Sequence, residues 1–548
     1  MPGIAPEDRR RAPRLRGLAP WLALTGAAGA ALVAYVTTAE PQVFELETIP
    51  DRFVRMEVPT AAPEPAAWRS PARKDEVLQK GKLLAKLVGT TGEGDLMMAH
   101  DPATDAGEDG LSTFSVDVDT ASFTRSVATL AAGQAPPHRE VRVEEFLNAV
   151  PYDYDLPTGD RPLQVHALAA PSPFDPAVHL LRIGLQAAEV PEAQRKPAHL
   201  TFLVDTSCSM ASDDKLPLVQ DSLHLLADQL RDDDTVALVT YAGSSEVVLD
   251  PTSAAQRDRI HAAIDALSSS GGTAMAQGVV TAYELALARH QEGHISRVIL
   301  ASDGDANIGP SHHGDLTPMI AAYADRGITL TSLGFGLGGG SYRDTMMEQL
   351  ANDGDGAYAF VPDLEEAADV LGAQLTGTLQ VVARDVKVQV AWNAEVVKSY
   401  RLVGYDNRRL ADEDFADDAV DAGEVGSGHQ VSALYEVVLH DGVEGALGEV
   451  RLRAKRPGPE SPSEAWTVDL GRPLVASVED ASPSYRLAVA TAGLAQVLGG
   501  QLHPPLLRLR DLEDLARGAA NPEERRHRQL LLAFGDARKV LTPRVASR

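Results

Sequence analysis

The feature that most constrains the fold of this chain is an alternation of short apolar strands with amphipathic helices between residues 198 and 362. The strand-like runs do not alternate between apolar and polar residues, which is typical of strands buried on both faces of a parallel sheet. Four such runs lie at residues 199–205, 236–242, 297–303 and 329–335. We therefore expect these four strands to share one sheet.

The segments between the strands have helical periodicity. Apolar residues recur at three- and four-residue spacing in two of them, at Leu216, Val219, Leu223, Leu226 and Leu230 and at Ala276, Val280, Tyr283 and Leu287. Strands that alternate with helices in this way predict the α/β class, with helices on both faces of a doubly wound, mostly parallel sheet. We place this domain at residues 197–364.

Polar side chains follow two of the predicted strands. Asp205, Ser207 and Ser209 come at the end of the first strand, and Asp303 ends the third, directly before a glycine. Ligand sites in such sheets lie beyond the carboxyl ends of the strands. The loop Gly271-Gly272-Thr273 precedes a helix, and its glycines would let the threonine hydroxyl approach the same edge. Two carboxylates and three hydroxyls can therefore converge, and such hard oxygen ligands suit Mg²⁺ or Mn²⁺.

This set of residues resembles a von Willebrand factor A domain with a metal-ion-dependent adhesion site. The resemblance implies five metal ligands, namely Asp205, Ser207, Ser209, Thr273 and Asp303. It also implies that the hydroxyls bind the ion directly and that one or both carboxylates act through water, which leaves the ion able to take a carboxylate from a partner. Cys208 stands where the family usually has glycine. Because a soft thiol is a poor Mg²⁺ ligand, we expect Cys208 beside the site, where it could alter the loop geometry.

The flanking sequence predicts further structure on both sides. We expect a family-specific domain at residues 112–196, with strands at 163–169 and 179–184. We expect a β-rich domain with a helical tail at residues 365–548. Several motifs in these flanks resemble the bacterial YfbK-type family, and they lie at residues 114–123, 142–146, 151–154, 400–408 and 411–415. Within the first motif, Asp117 and Asp119 favour a capping or domain-docking role over a second ion site.

The N-terminus has the pattern of a targeting segment. Five arginines in residues 9–16 precede an uncharged run from Leu18 to Val36, which is long enough to span a bilayer roughly once as a helix. Residues 1–39 therefore predict a membrane anchor or a signal peptide, and the arginines would stay cytoplasmic. Residues 40–111 are rich in Pro, Ala, Glu and Asp, which indicates a flexible spacer. We expect the bulk of the chain to be extracytoplasmic in the cell envelope, or secreted if the segment is cleaved.

Charge and cysteine content exclude several classes of function. The formal net charge of −28 opposes the phosphate neutralisation that drives nucleic-acid binding, so we expect no nucleic-acid partner. A single cysteine, Cys208, excludes an intramolecular disulfide, a redox pair and a multi-thiolate metal site. Any site chemistry therefore uses oxygen or histidine ligands.

The sequence predicts a cell-envelope adhesion or scaffold module rather than an enzyme. Its partner would be a protein that offers an acidic side chain to the divalent ion, and it would contact the membrane through the N-terminal segment only. One alternative is a metal-dependent hydrolase, although the sequence contains no HExxH, G-x-S-x-G or phosphate-loop motif. The other is a purely structural component of an envelope assembly, in which the metal serves stability only.

Overall fold

The structure is a computed structural model that describes residues 102–304, 310–336, 344–373, 377, 379–458, 461–501 and 506–541. The predicted anchor and nearly all of the predicted spacer lie outside the described residues. Within the described ranges, no helix is both long and apolar enough to cross a membrane. All described residues belong to one compact unit.

A six-stranded sheet forms the centre of this unit, in the order β10-β9-β8-β5-β6-β7. Its strands are β5 (Ala198–Asp205), β6 (Thr235–Tyr241), β7 (Ser245–Ser253), β8 (Ile295–Ser302), β9 (Ile328–Phe335) and β10 (Tyr358–Val361). All neighbouring strands are parallel except β7, which pairs antiparallel with β6 at one edge. The predicted α/β class and mostly parallel sheet are therefore confirmed, and the four predicted strands are β5, β6, β8 and β9.

Helices cover both faces of this sheet. They are α3 (Leu216–Gln229), α4 (Arg257–Asp265), α5 (Met275–Arg289), α6 (Pro310–Ala324), α7 (Asp344–Asp353) and α8 (Leu364–Ala368). Phe202 of β5 packs with α3, α4 and α8, whereas the adjacent Leu203 packs with α5, α6 and α7. Successive strand residues point to opposite faces, so both faces of β5 are buried and its sequence shows no polar alternation.

The segments on either side of this sheet fold together as two further sheets. One has the order β1-β12-β14-β4-β3, and the other has the order β13-β11-β15-β16 with β2 also paired to β11. Their N-terminal strands are β1 (Thr104–Asp105), β2 (Leu111–Ser115), β3 (Leu163–Pro171) and β4 (His179–Ala187). Their C-terminal strands are β11 (Val381–Trp392), β12 (Val397–Val403), β13 (Val425–Gly426), β14 (Gln430–Leu439), β15 (Gly448–Lys455) and β16 (Ser463–Asp469).

These pairings join segments that the sequence analysis places in two separate domains. Ile183 of β4 lies opposite Ala433 of β14, and Phe114 of β2 lies opposite Val388 of β11. Side chains from both sheets share one buried apolar cluster. The segments 112–196 and 365–548 therefore do not fold apart from each other, and the α/β domain lies between them in the chain.

A helical layer covers this β structure. Its helices are α1 (Ala121–Ala131), α2 (Val143–Ala149), α9 (Pro483–Leu498), α10 (Leu506–Arg517) and α11 (Arg525–Leu541). Phe123, Phe146, Tyr485 and Phe534 are fully buried in its core. The last three helices are the predicted helical tail, and α9 is fixed to the sheet because the Tyr485 hydroxyl donates a hydrogen bond to the carbonyl of Leu180 at 2.6 Å.

Buried polar contacts dock the central sheet onto its flanks. The Asp119 carboxylate accepts a hydrogen bond from the backbone N–H of Tyr358 in β10 at 2.7 Å. Arg408, which lies 3.1 Å from the Asp117 carboxylate, donates to Oδ1 of Asn352 in α7 at 2.8 Å. On α11, Arg526 forms a bidentate ion pair with the fully buried Glu366 of α8. The predicted docking role of Asp117 and Asp119 agrees with these contacts.

Candidate metal centre

Asp205, the last residue of β5, is fully buried and anchors the candidate site. Its Oδ1 accepts a hydrogen bond from the backbone N–H of Ser207 at 2.9 Å. Its Oδ2 accepts from the hydroxyls of Tyr241 at 3.1 Å and Ser302 at 3.0 Å. Burial raises the pKa of Asp205, and the hydrogen bonds from Ser207 and Ser302 oppose that rise. The carboxylate is therefore held rigidly at the carboxyl edge of the sheet.

The two predicted serine ligands lie together in the loop that follows. The Oγ atoms of Ser207 and Ser209 are 3.0 Å apart. Ser207 is buried and Ser209 is half-buried. Cys208 between them is exposed, and its backbone N–H donates to the carbonyl of Gly271 at 3.3 Å. The structure thus places the Cys208 residue next to the serines and connects it to the threonine loop.

The loop that carries Thr273 is bonded to the ends of two strands. The N–H of Ser270 donates to the carbonyl of Thr206 at 2.7 Å, and the N–H of Ala274 donates to the carbonyl of Ala242 at 2.5 Å. Gly271 has a φ of +74°, and a Cβ there would lie 3.2 Å from the backbone nitrogen of Gly243. This turn therefore needs glycine. It places the half-buried Thr273 at the same sheet edge as Asp205.

Asp303 follows β8, which is the parallel neighbour of β5. Its Oδ2 forms an ion pair with Nζ of Lys215 at 2.8 Å, and the same ammonium donates to the carbonyl of Ser209 at 2.9 Å. Lys215 lies across Gly336, where a Cβ would come within 2.6 Å of the lysine Cε. A cationic group therefore already contacts two of the predicted ligand residues.

Sequence reasoning missed Lys215. One signal was available, because it is the only basic residue between Asp205 and the start of α3. A cation beside a predicted carboxylate ligand is an electrostatic partner for that carboxylate, or a competitor of a bound ion.

The residues at this edge fit a hard divalent ion. The donor set is two carboxylates and three hydroxyls, which suits Mg²⁺ or Mn²⁺ and not a soft transition metal. The contact of the Lys215 ammonium with Asp303 and Ser209 shows that the edge accommodates positive charge. Over the described part of the chain, no group of three or more His, Cys, Asp or Glu side chains is arranged to hold a metal ion. Of the five candidate ligands, only Asp205 and Asp303 belong to these residue types, so ion binding at this edge would also depend on the three hydroxyls.

Family models match most of the described chain. The model for the von Willebrand factor type A domain matches residues 199–373, which contain the central sheet. A model described as von Willebrand factor matches residues 96–182. The model described as the C-terminal region of the uncharacterized protein YfbK matches residues 377–540.

Curated relatives agree with these matches. The chain is 36% identical to the uncharacterized protein YfbK of Escherichia coli over 64% of its own length and 62% of that protein. It is 26% identical to a UPF0353 protein of Mycolicibacterium vanbaalenii over 38% of its own length and 65% of that protein. The matched part of the chain spans less than two thirds of each of these relatives.

Solved structures also have a detectable likeness to this chain. A von Willebrand factor type A protein from Catenulispora acidiphila has a TM-score of 0.41 at 17% identity, over 67% of this chain and 89% of that one. The ArnB paralog VWA2 from Sulfolobus acidocaldarius has a TM-score of 0.34 at 12% identity, over 69% of this chain and 98% of that one.

Proposed function

We propose that this chain is a protein-binding module of the cell envelope. It contains a von Willebrand factor type A domain, followed by a YfbK-type C-terminal region. It engages an acidic side chain of a partner through a divalent ion, Mg²⁺ or Mn²⁺, at the carboxyl edge of the central sheet. The observation that carries the proposal is the placement of Asp205 and Asp303 after two adjacent parallel strands of the domain. The serine pair and the threonine loop lie at the same edge.

In this proposal each residue has a distinct part. Ser207, Ser209 and Thr273 would offer hydroxyl oxygens to the ion, while Asp205 and Asp303 would balance its charge. Tyr241 and Ser302 are positioning residues, because their hydroxyls donate to Asp205 and fix its orientation. The bound ion would supply a Lewis-acidic position for an incoming carboxylate.

The contacts around the site favour binding over hydrolysis. The Asp205 carboxylate accepts three hydrogen bonds, and the Lys215 ammonium is engaged by Asp303 and by the carbonyl of Ser209. Groups that are held in this way are suited to orienting a bound ion, and the sequence offers no HExxH, G-x-S-x-G or phosphate-loop motif for hydrolysis. We therefore infer that the chain is not an enzyme.

The proposed location rests on the N-terminal sequence. The arginine cluster at residues 9–16 and the apolar run 18–36 favour an inner-membrane anchor with the folded part outside the cytoplasm, or secretion if the segment is cleaved. The acidic spacer that follows would separate the folded unit from the membrane.

Affinity capture from a membrane extract tests the binding function. Full-length tagged chain is compared with Asp205→Ala and Thr273→Ala, each with Mg²⁺ and with a chelator. We expect a partner that only the unmodified chain with metal retains. The matched control is Asp250→Ala, which removes an exposed carboxylate of β7 in the same domain and should retain the partner.

Three other outcomes would redirect the proposal. If all variants retain the same partners in chelator, the metal-bridged contact is wrong. If removing the ion lowers only the melting temperature and releases no partner, the site serves stability alone. Divalent-dependent turnover of a peptide, ester or phosphate substrate that is lost in Asp205→Ala would indicate the hydrolase instead.

A further inference from the structure

Helices α3 and α4 carry the same short motif, a histidine followed four residues later by an aspartate. On α3 these residues are His224 and Asp228, and on α4 they are His261 and Asp265. The two pairs cross between the helices. Nε2 of His224 lies 3.0 Å from Oδ1 of Asp265, and Nε2 of His261 lies 3.0 Å from Oδ1 of Asp228. The arrangement is reciprocal, because each histidine contacts the aspartate of the other helix.

The other ring nitrogens of the two histidines face each other. Nδ1 of His224 lies 2.5 Å from Nδ1 of His261. A nitrogen that contacts a carboxylate is the one that carries the ring hydrogen, so Nε2 is the donor in both rings. A neutral imidazole has only one N–H, and both Nδ1 atoms therefore present lone pairs to each other. Two opposed lone pairs repel unless an electrophile lies between them.

We propose that His224 and His261 chelate one divalent transition-metal ion of the Zn²⁺ class through their Nδ1 atoms. Imidazole nitrogen is a preferred ligand of Zn²⁺, Cu²⁺ and Ni²⁺, whereas Mg²⁺ prefers oxygen. Metal–nitrogen bonds of about 2.0–2.1 Å place two ligating nitrogens about 2.9–3.3 Å apart. The ring centroids lie 4.8 Å apart, so the two Nδ1 atoms point at each other. The rings must separate by less than about 1 Å and also tilt for both lone pairs to reach one ion.

The surroundings of the histidine pair support this assignment. Metal-binding histidines usually donate their other N–H to a carboxylate, which fixes the tautomer and strengthens the ligand, and Asp228 and Asp265 are placed to accept those hydrogen bonds. The His224 and His261 side chains are 28% and 27% exposed, so water can complete the coordination shell. Gln220 of α3 donates to the carbonyl of Ile264 in α4 at 2.9 Å and holds the two helices in register.

This site is independent of the proposed oxygen site. It uses nitrogen ligands on the helices α3 and α4, and the oxygen site uses the ends of strands β5 and β8. A bound ion would join α3 to α4 and stabilise the folded chain by RT ln(1 + c/Kd), where c is the free concentration of the ion and Kd is its dissociation constant.

The experiment measures Zn²⁺ affinity by calorimetry and Cu²⁺ coordination by electron paramagnetic resonance. Both use the full chain with Asp205→Ala, which silences the oxygen site. We expect splitting from two nitrogens in the Cu²⁺ spectrum. We expect a loss of Zn²⁺ affinity of at least about a hundredfold in His224→Gln and in His261→Gln. Asp228→Asn and Asp265→Asn should each weaken binding by about 10- to 100-fold, as is usual for groups that orient a ligand.

The matched control is His440→Gln, which removes an exposed histidine from the flanking β structure and should leave Zn²⁺ affinity unchanged. Melting temperatures without metal confirm that the variants are folded. If Zn²⁺ affinity is the same in His224→Gln as in its parent, or if no nitrogen splitting appears, the two rings share a proton and the metal site is wrong.

Discussion

Replacing Lys215 by methionine tests how the ammonium group affects the proposed ion site. Nζ of Lys215 lies 2.8 Å from Oδ2 of Asp303, and the two side chains are only 13% and 2% exposed. An ion that binds Asp303 must displace the ammonium or repel it at short range. The variant Lys215→Met keeps most of the side-chain length and removes the charge, so we expect it to bind Mg²⁺ more tightly.

The expected gain in Mg²⁺ affinity follows from the contact between Lys215 and Asp303 that the ion replaces. A hydrogen bond between charged groups contributes about 1.5–3 kcal/mol to stability. Each 1.4 kcal/mol corresponds to about a tenfold change in affinity, so Lys215→Met should tighten Mg²⁺ binding by about 10- to 100-fold. When no metal is bound, the variant removes this cation from beside the buried Asp303, which should lower the free energy of unfolding by about 3–5 kcal/mol. We therefore expect a lower melting temperature without metal and a larger rise on adding Mg²⁺.

Calorimetric Mg²⁺ titration and thermal melts with and without Mg²⁺ measure both effects. The matched control is Lys539→Met, which removes a lysine that is 78% exposed and paired with Asp536 on α11. Exposed pairs of this kind contribute little, so the control should match the unmodified chain. If Lys215→Met binds Mg²⁺ more weakly than the unmodified chain, the ammonium belongs to the loaded site and the competition argument is refuted.

Two further predictions concern stability. Burial, followed by the charge of Asp117, raises the pKa of Glu144 from 4.5 to about 7. Between these pH values the folded chain holds a proton that the unfolded chain has lost. The contribution of Glu144 to the free energy of unfolding therefore falls as pH rises from about 4.5 to about 7. Glu144→Gln keeps an acceptor for the N–H of Tyr405 and should raise the free energy of unfolding above pH 7 by up to about 3 kcal/mol, with no gain below pH 4. Urea unfolding at a series of pH values measures this difference. An equal gain above pH 7 and below pH 4 would contradict the prediction. Gly184→Ala should lower stability by at least about 1–3 kcal/mol, because the new Cβ would lie 2.3 Å from Cζ of Tyr154. The same change in a Tyr154→Ala background should cost much less, and an equal cost in both backgrounds would show that the clash is not the cause.

The central sheet could be predicted from the sequence because its signals are local. Each interior strand is a short apolar run, and residues 199–205, 236–242, 297–303 and 329–335 agree with the observed strands to within one or two residues. The edge strand β7 was missed because most of its side chains are exposed or half-buried, so its sequence does not form an apolar run. The placement of the two aspartates at one edge follows from strand order, which the alternation of strands and helices already indicates.

Other features depend on contacts between distant residues and have no local signal. The shared sheets of the flanks require β4 to pair with β14, and nothing within either strand specifies its partner. The sequence shows that Lys215 is the only basic residue between Asp205 and α3, but its contact with Asp303 depends on how the loops pack. The crossed histidine and aspartate pairs likewise appear only when α3 and α4 lie side by side.

The sheets that join both flanks have a consequence for the order in which the chain acquires its structure during synthesis. Thr113 of β2 accepts a hydrogen bond from Gln389 of β11, although 276 residues separate them. The central domain is contiguous and can form its core as soon as it has been made, and β3 can pair with β4. In contrast, β2 and the second edge of β4 must wait for β11 and β14, which emerge later. Unpaired strand edges of this kind promote aggregation. If the folded part is exported during synthesis, as the proposed location requires, these early strand edges would need protection until the C-terminal third arrives.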